Sequence, residues 1–176
     1  MQKDAYVRVG FIASYCRSAS TMNEERCPAC GAPDVGGREG CQALYEAFGF
    51  QTYSDRRLAA VHLLSFDAYC MQHVETYCVS AKSYAAHLTR LCCGIEHGGN
   101  PVIYATINRW LNGKVELEKP PLLSQRGEMT LVDVRAAPGV EAQVKKVQEW
   151  ANNVWVAYAP QQELARQWIK AALARR

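Results

Sequence analysis

The string Cys27-Pro28-Ala29-Cys30-Gly31, followed after a short interval by Cys41, constrains this chain more than any other feature. Two residues between the thiols let both sulfurs reach one point, Pro28 fixes the bend, and Gly31 permits a close approach or a positive φ. This is the spacing of a metal knuckle, and zinc is the metal that suits it. A redox C-x-x-C is the competing reading. Such a motif is expected between a strand and a helix, whereas Cys30 is followed by GAPDVGGREG, which has the composition of a loop.

The knuckle cysteines belong to a set of eight: Cys16, Cys27, Cys30, Cys41, Cys70, Cys78, Cys92 and Cys93. In a short secreted chain an even count would suggest a disulfide framework. Here 176 residues are enough to bury a core without such stapling. The opening MQKDAYVRVG lacks the apolar stretch of a secretory signal, and no apolar run approaches the roughly 20 residues of a membrane helix. The expectation is a soluble, cytoplasmic protein with no membrane partner, whose cysteines are ligands or small buried side chains. Cys70, Cys78, Cys92 and Cys93 lie in apolar, helix-like surroundings and read as buried thiols. The 20 Lys+Arg against 17 Asp+Glu leave a net charge of +3. Around the knuckle Glu24, Glu25, Arg26, Asp34, Arg38 and Glu39 are mixed in sign, so a nucleic-acid partner is disfavoured.

The rest of the chain reads as mainly α: a single domain (1–176), with an N-terminal segment (1–53) holding the knuckle and a short helix, packed on a helical core (54–176) within a bundle of about five to six helices. Residues 6–12 read as a short extension or strand. A helix is expected over Cys41–Phe48, ended by Gly49. Ser54-Asp55 can cap a helix running through His73, and Ser80 another that stops at Gly98-Gly99. Pro101 opens a further helix closed by Asn112-Gly113. Residues 114–137 contain Pro120-Pro121 and then Met129–Val134, read as a strand or an ordered loop. A long helix follows from about Gly139, and Pro160 kinks or restarts it before a terminal helix.

A structural zinc site takes four ligands, and Cys27, Cys30 and Cys41 supply three. If the helix from Cys41 runs about nine residues, reverses through Phe50–Ser54 and returns antiparallel, the residue opposite Cys41 lies near position 62 or 63. His62 is the favoured fourth ligand, with His73, Cys70 or Cys16 as substitutes. His73 shares a helical face with His62 to within roughly 20°, but in an unbroken helix it lies about 16 Å away. Such a closed site stabilises a fold and has no open position for a substrate. Catalysis would need other groups, and Asp67, His73, Lys82 and His87 are the candidates that could converge between helices.

The stretches CPACG at 27–31, Cys41-Gln-Ala-Leu-Tyr45, HxxxxDAYxxQH at 62–73, Ala86-His87-Leu88, Pro120-Pro121 with GEMTLVDV at 127–134, and Trp150-Ala-x-x-Val-Trp155 together resemble the DUF5946 family of uncharacterised bacterial proteins. The resemblance covers most of the chain. It implies that the three cysteines and His62 belong to one recurring arrangement, and it supplies no activity. It also implies histidines near the start of the last helix, where this chain has Gln161-Gln162.

Two functional readings follow. One is a zinc-binding helical protein whose metal is mainly structural and whose role is to bind a small molecule or protein. The other is a metal-dependent or acid/base enzyme with an inter-helical His/Asp/Lys pocket. A redox-regulated thiol protein built on Cys27 and Cys30 is a third.

Overall fold

The first described element is built on one carbonyl. In a computed structural model covering residues 25–175, the amides of Val35, Gly36 and Gly37 converge on the Glu25 oxygen at 3.0, 3.1 and 3.3 Å. From there helix α1 (Gly37–Ser54) begins. Gly40 sits where a Cβ would lie 1.6 Å from the Val35 oxygen, so only glycine lets the turn close over the helix start. Cys16 and residues 6–12 lie outside the described residues.

Helix α1 does not end at Gly49. A glycine inside a helix costs about 1 kcal/mol relative to alanine, and here Phe48 and Thr52 are buried on either side of it. Their burial carries the helix one turn further, to Ser54. The reversal is therefore later than the sequence suggested. Asp55 accepts from the Arg57 N–H at 2.8 Å and caps the four-residue α2 (Arg56–Ala59). Val61 leaves helical geometry (φ −108°, ψ 6°), which splits the expected single helix into α2 and α3 (His62–Gln72).

Next come α4 (Val74–Tyr77) and α5 (Ala81–Glu96), the latter opened by Ser80, whose hydroxyl accepts from the Ser83 N–H while Ser83 Oγ accepts from the Ser80 N–H. Pro101 stands at the first position of α6 (Pro101–Asn112), where its missing N–H costs nothing. The segment 129–134 is not a strand. Thr130 accepts from the Val132 N–H, Asp133 accepts from the Thr130 N–H, and this reciprocal cap starts α7 (Leu131–Ala136). The long α8 (Gly139–Ala157) follows. Pro160 restarts the chain through a 3₁₀ turn (Ala159–Gln161) into α9 (Gln162–Ala174).

The described residues are thus mainly α and contain no strand; six of the nine helices run eleven residues or more. Helix α3 is the central element, packed between α5 and α8, while α9 covers α5 and α6, and α7 lies on α8. Trp150, Tyr158, Met71, Leu88, Leu91 and Ile107 are fully buried among them. Residues 114–130, without regular structure, cross this core as a strap held by side chains. Gln72 donates to the carbonyls of Met129 (2.8 Å) and Arg126 (3.3 Å) and accepts from Trp150 Nε1 (3.0 Å). Gln161 donates to the Pro121 oxygen, Lys119 to the Cys78 oxygen, and Asn153 accepts from the Glu128 and Met129 amides.

Candidate metal centre

The knuckle is a tight turn. Gly31 N–H donates to the Cys27 carbonyl (2.8 Å), Cys27 N–H donates to Ala32 (2.9 Å), and Gly31 takes φ +75°, a conformation glycine adopts without strain. The turn points Cys27 and Cys30 at Cys41, in the first turns of α1. The fourth residue of the group is His73, which caps the C-terminus of α3. One ligand atom from each of Cys27, Cys30, Cys41 and His73 lies within 4.8 Å of every other. Cys27 and Cys41 Sγ are each 3.5 Å from His73 Nε2, and Cys30 and Cys41 Sγ are 3.8 Å apart.

These separations can be set against a tetrahedral ion. Zinc–sulfur bonds of about 2.3 Å and a zinc–nitrogen bond of about 2.1 Å put two sulfurs about 3.8 Å apart, and sulfur about 3.6 Å from nitrogen. The side chains fit. His73 is also in the correct tautomer: its Nδ1–H donates to the Tyr69 carbonyl at 2.8 Å, leaving the Nε2 lone pair for the thiol cluster. Tyr69 stacks on the imidazole (4.0 Å between centroids) and is itself stacked by Tyr45 (4.0 Å), while its hydroxyl points at Cys41 Sγ (4.0 Å). Cys27, Cys41 and His73 are buried, and Cys30 is half-buried.

The electrostatics favour a cation. Cys41 is pushed down, chiefly by the hydrogen bond from the Cys30 thiol and secondarily by His73, against burial. Cys30 is pushed up, first by that same bond and then by burial. The two sulfurs compete for one proton, and a divalent ion would let both ionise.

His62 is not in this group. It lies at the opposite end of α3, with Nδ1 3.2 Å from Thr52 Oγ1 and its ring 6.1 Å from that of Tyr53. The physical reason is the length of α1. The contacts Cys41–His73, Tyr45–Tyr69 and Thr52–His62 are all symmetric about Arg57, so α1 and α3 face each other antiparallel about a reversal at 55–61. A reversal at 50–54 would have set His62 opposite Cys41; the extra turn of α1 moves that place to His73. Cys70, the other substitute, is fully buried elsewhere, its carbonyl accepting from the Cys78 thiol.

The catalytic candidates disperse. His73 is in the metal group. Lys82 Nζ donates to the Gly113 carbonyl at the end of α6. Asp67 and His87 do meet, together with Arg90, which the sequence reading did not single out. His87 Nδ1 is 2.8 Å from Asp67 Oδ1, and Arg90 reaches the same carboxylate through Nη2 (2.7 Å) and Nε (3.0 and 3.2 Å). Asp67 is fully buried. This is an ion network joining α3 to α5, and it satisfies the carboxylate. Cys78 and Cys92 are pushed up to about 12, mainly by burial, as expected of packed thiols.

Fold and site together define a mainly helical protein with a Cys3His group suited to one metal ion. The chain belongs to DUF5946, a family of unknown function, whose model matches residues 25–159. No curated protein and no solved structure matches it. Among the described residues no helix is long and apolar enough to cross a membrane.

Proposed function

We propose that this protein binds one zinc ion through Cys27, Cys30, Cys41 and His73, and that the metal is structural. It would fasten the knuckle and the start of α1 to the end of α3. The single observation that carries the reading is the convergence of three sulfurs and one correctly tautomeric imidazole within 4.8 Å of one another, with Cys27–His73, Cys41–His73 and Cys30–Cys41 at 3.5 to 3.8 Å. Four protein ligands leave no open position, so the ion would stabilise and not react. The role left to the chain is binding a small molecule or a protein, as one domain, with nucleic acid and membranes excluded from the reading. We place it in the bacterial cytoplasm, where free thiols such as Cys70, Cys78, Cys92 and Cys93 stay reduced.

X-ray absorption at the zinc edge tests the site. The expected shell is three sulfurs at about 2.3 Å and one nitrogen at about 2.0 Å. A shell made only of nitrogen and oxygen would contradict it.

A further inference from the structure

A cleft of ≈ 550 Å³ opens on the face where the first turn of α3, the end of α5, the start of α6 and the middle of α8 meet. That volume lies in the range of small-molecule sites, roughly 300 to 1,000 Å³. Its apolar wall includes Leu63 and Leu64 of α3 and Ile95 of α5. Gly94 lets Leu64 and Tyr104 close in on α5 at the edge of the cleft: a Cβ there would lie 2.7 Å from Leu64 Cδ1 and 3.3 Å from the Tyr104 hydroxyl.

Three polar side chains line the same cleft: Tyr104 from α6, and Gln148 and Asn152 from α8. Gln148 and Asn152 are exposed, whereas other carboxamides are spent on the protein itself, Gln72 and Gln161 on the strap and Asn153 on the amides of Glu128 and Met129. No hydrogen bond within the described residues uses the Tyr104 hydroxyl or the carboxamides of Gln148 and Asn152. Each carboxamide offers an acceptor beside a donor. No Asp, Glu, Lys, Arg or His lines the cleft, so no side chain there offers a counter-charge to a charged ligand.

From these observations we infer that the cleft between α3, α5, α6 and α8 binds an uncharged small molecule with an apolar body and an amide-like edge. The apolar body lies against Leu63, Leu64 and Ile95, and the edge pairs with Gln148 and Asn152. This gives a site to the binding role proposed above and rests on that role. It does not require the zinc.

Benzamide and its near-isostere benzoate test the inference on the full-length, zinc-supplemented protein, followed by amide NMR. Benzamide should shift the signals of Gly94, Gly98 and Gly99 and the side-chain amides of Gln148 and Asn152 saturably, at millimolar concentration. Benzoate should bind at least tenfold more weakly. The double variant Gln148→Leu/Asn152→Leu, both positions being on the exposed side of α8, should keep the wild-type spectrum elsewhere and lose benzamide affinity at least tenfold. No saturable shift at these residues, equal affinity for the two probes, or unchanged affinity in the double variant would overturn the inference. Zinc content measured on the same samples separates this outcome from failure of the metal reading: a chain that holds one zinc and ignores benzamide loses only the cleft.

Discussion

His62 and His73 mark the two ends of α3, and one extra turn of α1 decides which of them meets Cys41. The three cysteines of the group were legible because their chemistry is local: C-P-x-C-G is a turn, and Cys41 is close in sequence. The histidine was not, because its place depends on where the chain reverses, and a glycine at position 49 suggested a stop that burial of Phe48 and Thr52 overrode. At the same scale, Asp67 is tested by substitution. Asp67→Ala leaves the Arg90 guanidinium, with only 17% of its side chain exposed, without its partner, and should destabilise the fold by about 3 kcal/mol in urea unfolding. A loss below about 0.5 kcal/mol, the size of an ordinary surface substitution, would mean that the network does not hold α3 to α5.

At the level of elements, the start signals were readable at Ser80 and Asp55, whose side chains cap their own helices, and at Pro101, whereas the Asn100 cap in front of it was not read. Thr130 and Asp133 form the same kind of signal, yet the apolar residues over 129–134 read as a strand or an ordered loop, since a six-residue stretch does not separate the helical and strand periods. The break at Ala60–Val61 has no marker of its own. Where an element start also carries a ligand, the two properties are linked. Gly40→Ala would drive a Cβ into the Val35 carbonyl, 1.6 Å away, and shift the turn that presents Cys41. The expected result is at least a tenfold loss of zinc affinity in competition with a chromogenic chelator, while the far-UV circular dichroism stays helical. Wild-type affinity would show that the turn is free to adjust.

For the whole molecule, the helical core and the knuckle draw on different sources of stability. The core buries its own apolar surface around Trp150, Tyr158 and Leu88. The knuckle contributes few large side chains, so with the proposed zinc holding it, residues 25–36 are the part that metal removal should release. Chelation should expose a protease site within 25–36 while most helical signal persists. Global loss of helix would show instead that the core needs the metal to form. Two surface ion pairs add a pH dependence independent of the centre. Arg126 holds the Glu75 carboxyl below its ordinary range, and Arg166 does the same to Glu96. A lowered acid contributes stability above its unfolded pKa and loses it as pH falls through the folded value. The strap and α9 should therefore loosen only at pH below about 4.5, and by less than about 1 kcal/mol per exposed pair.

The most direct measurement is zinc per chain in the purified protein, compared with His73→Ala and His62→Ala. One tightly held zinc in the parent and in His62→Ala, with loss of at least ten times in affinity for His73→Ala, is the expected result. Retention in His73→Ala with loss in His62→Ala would contradict the centre as described.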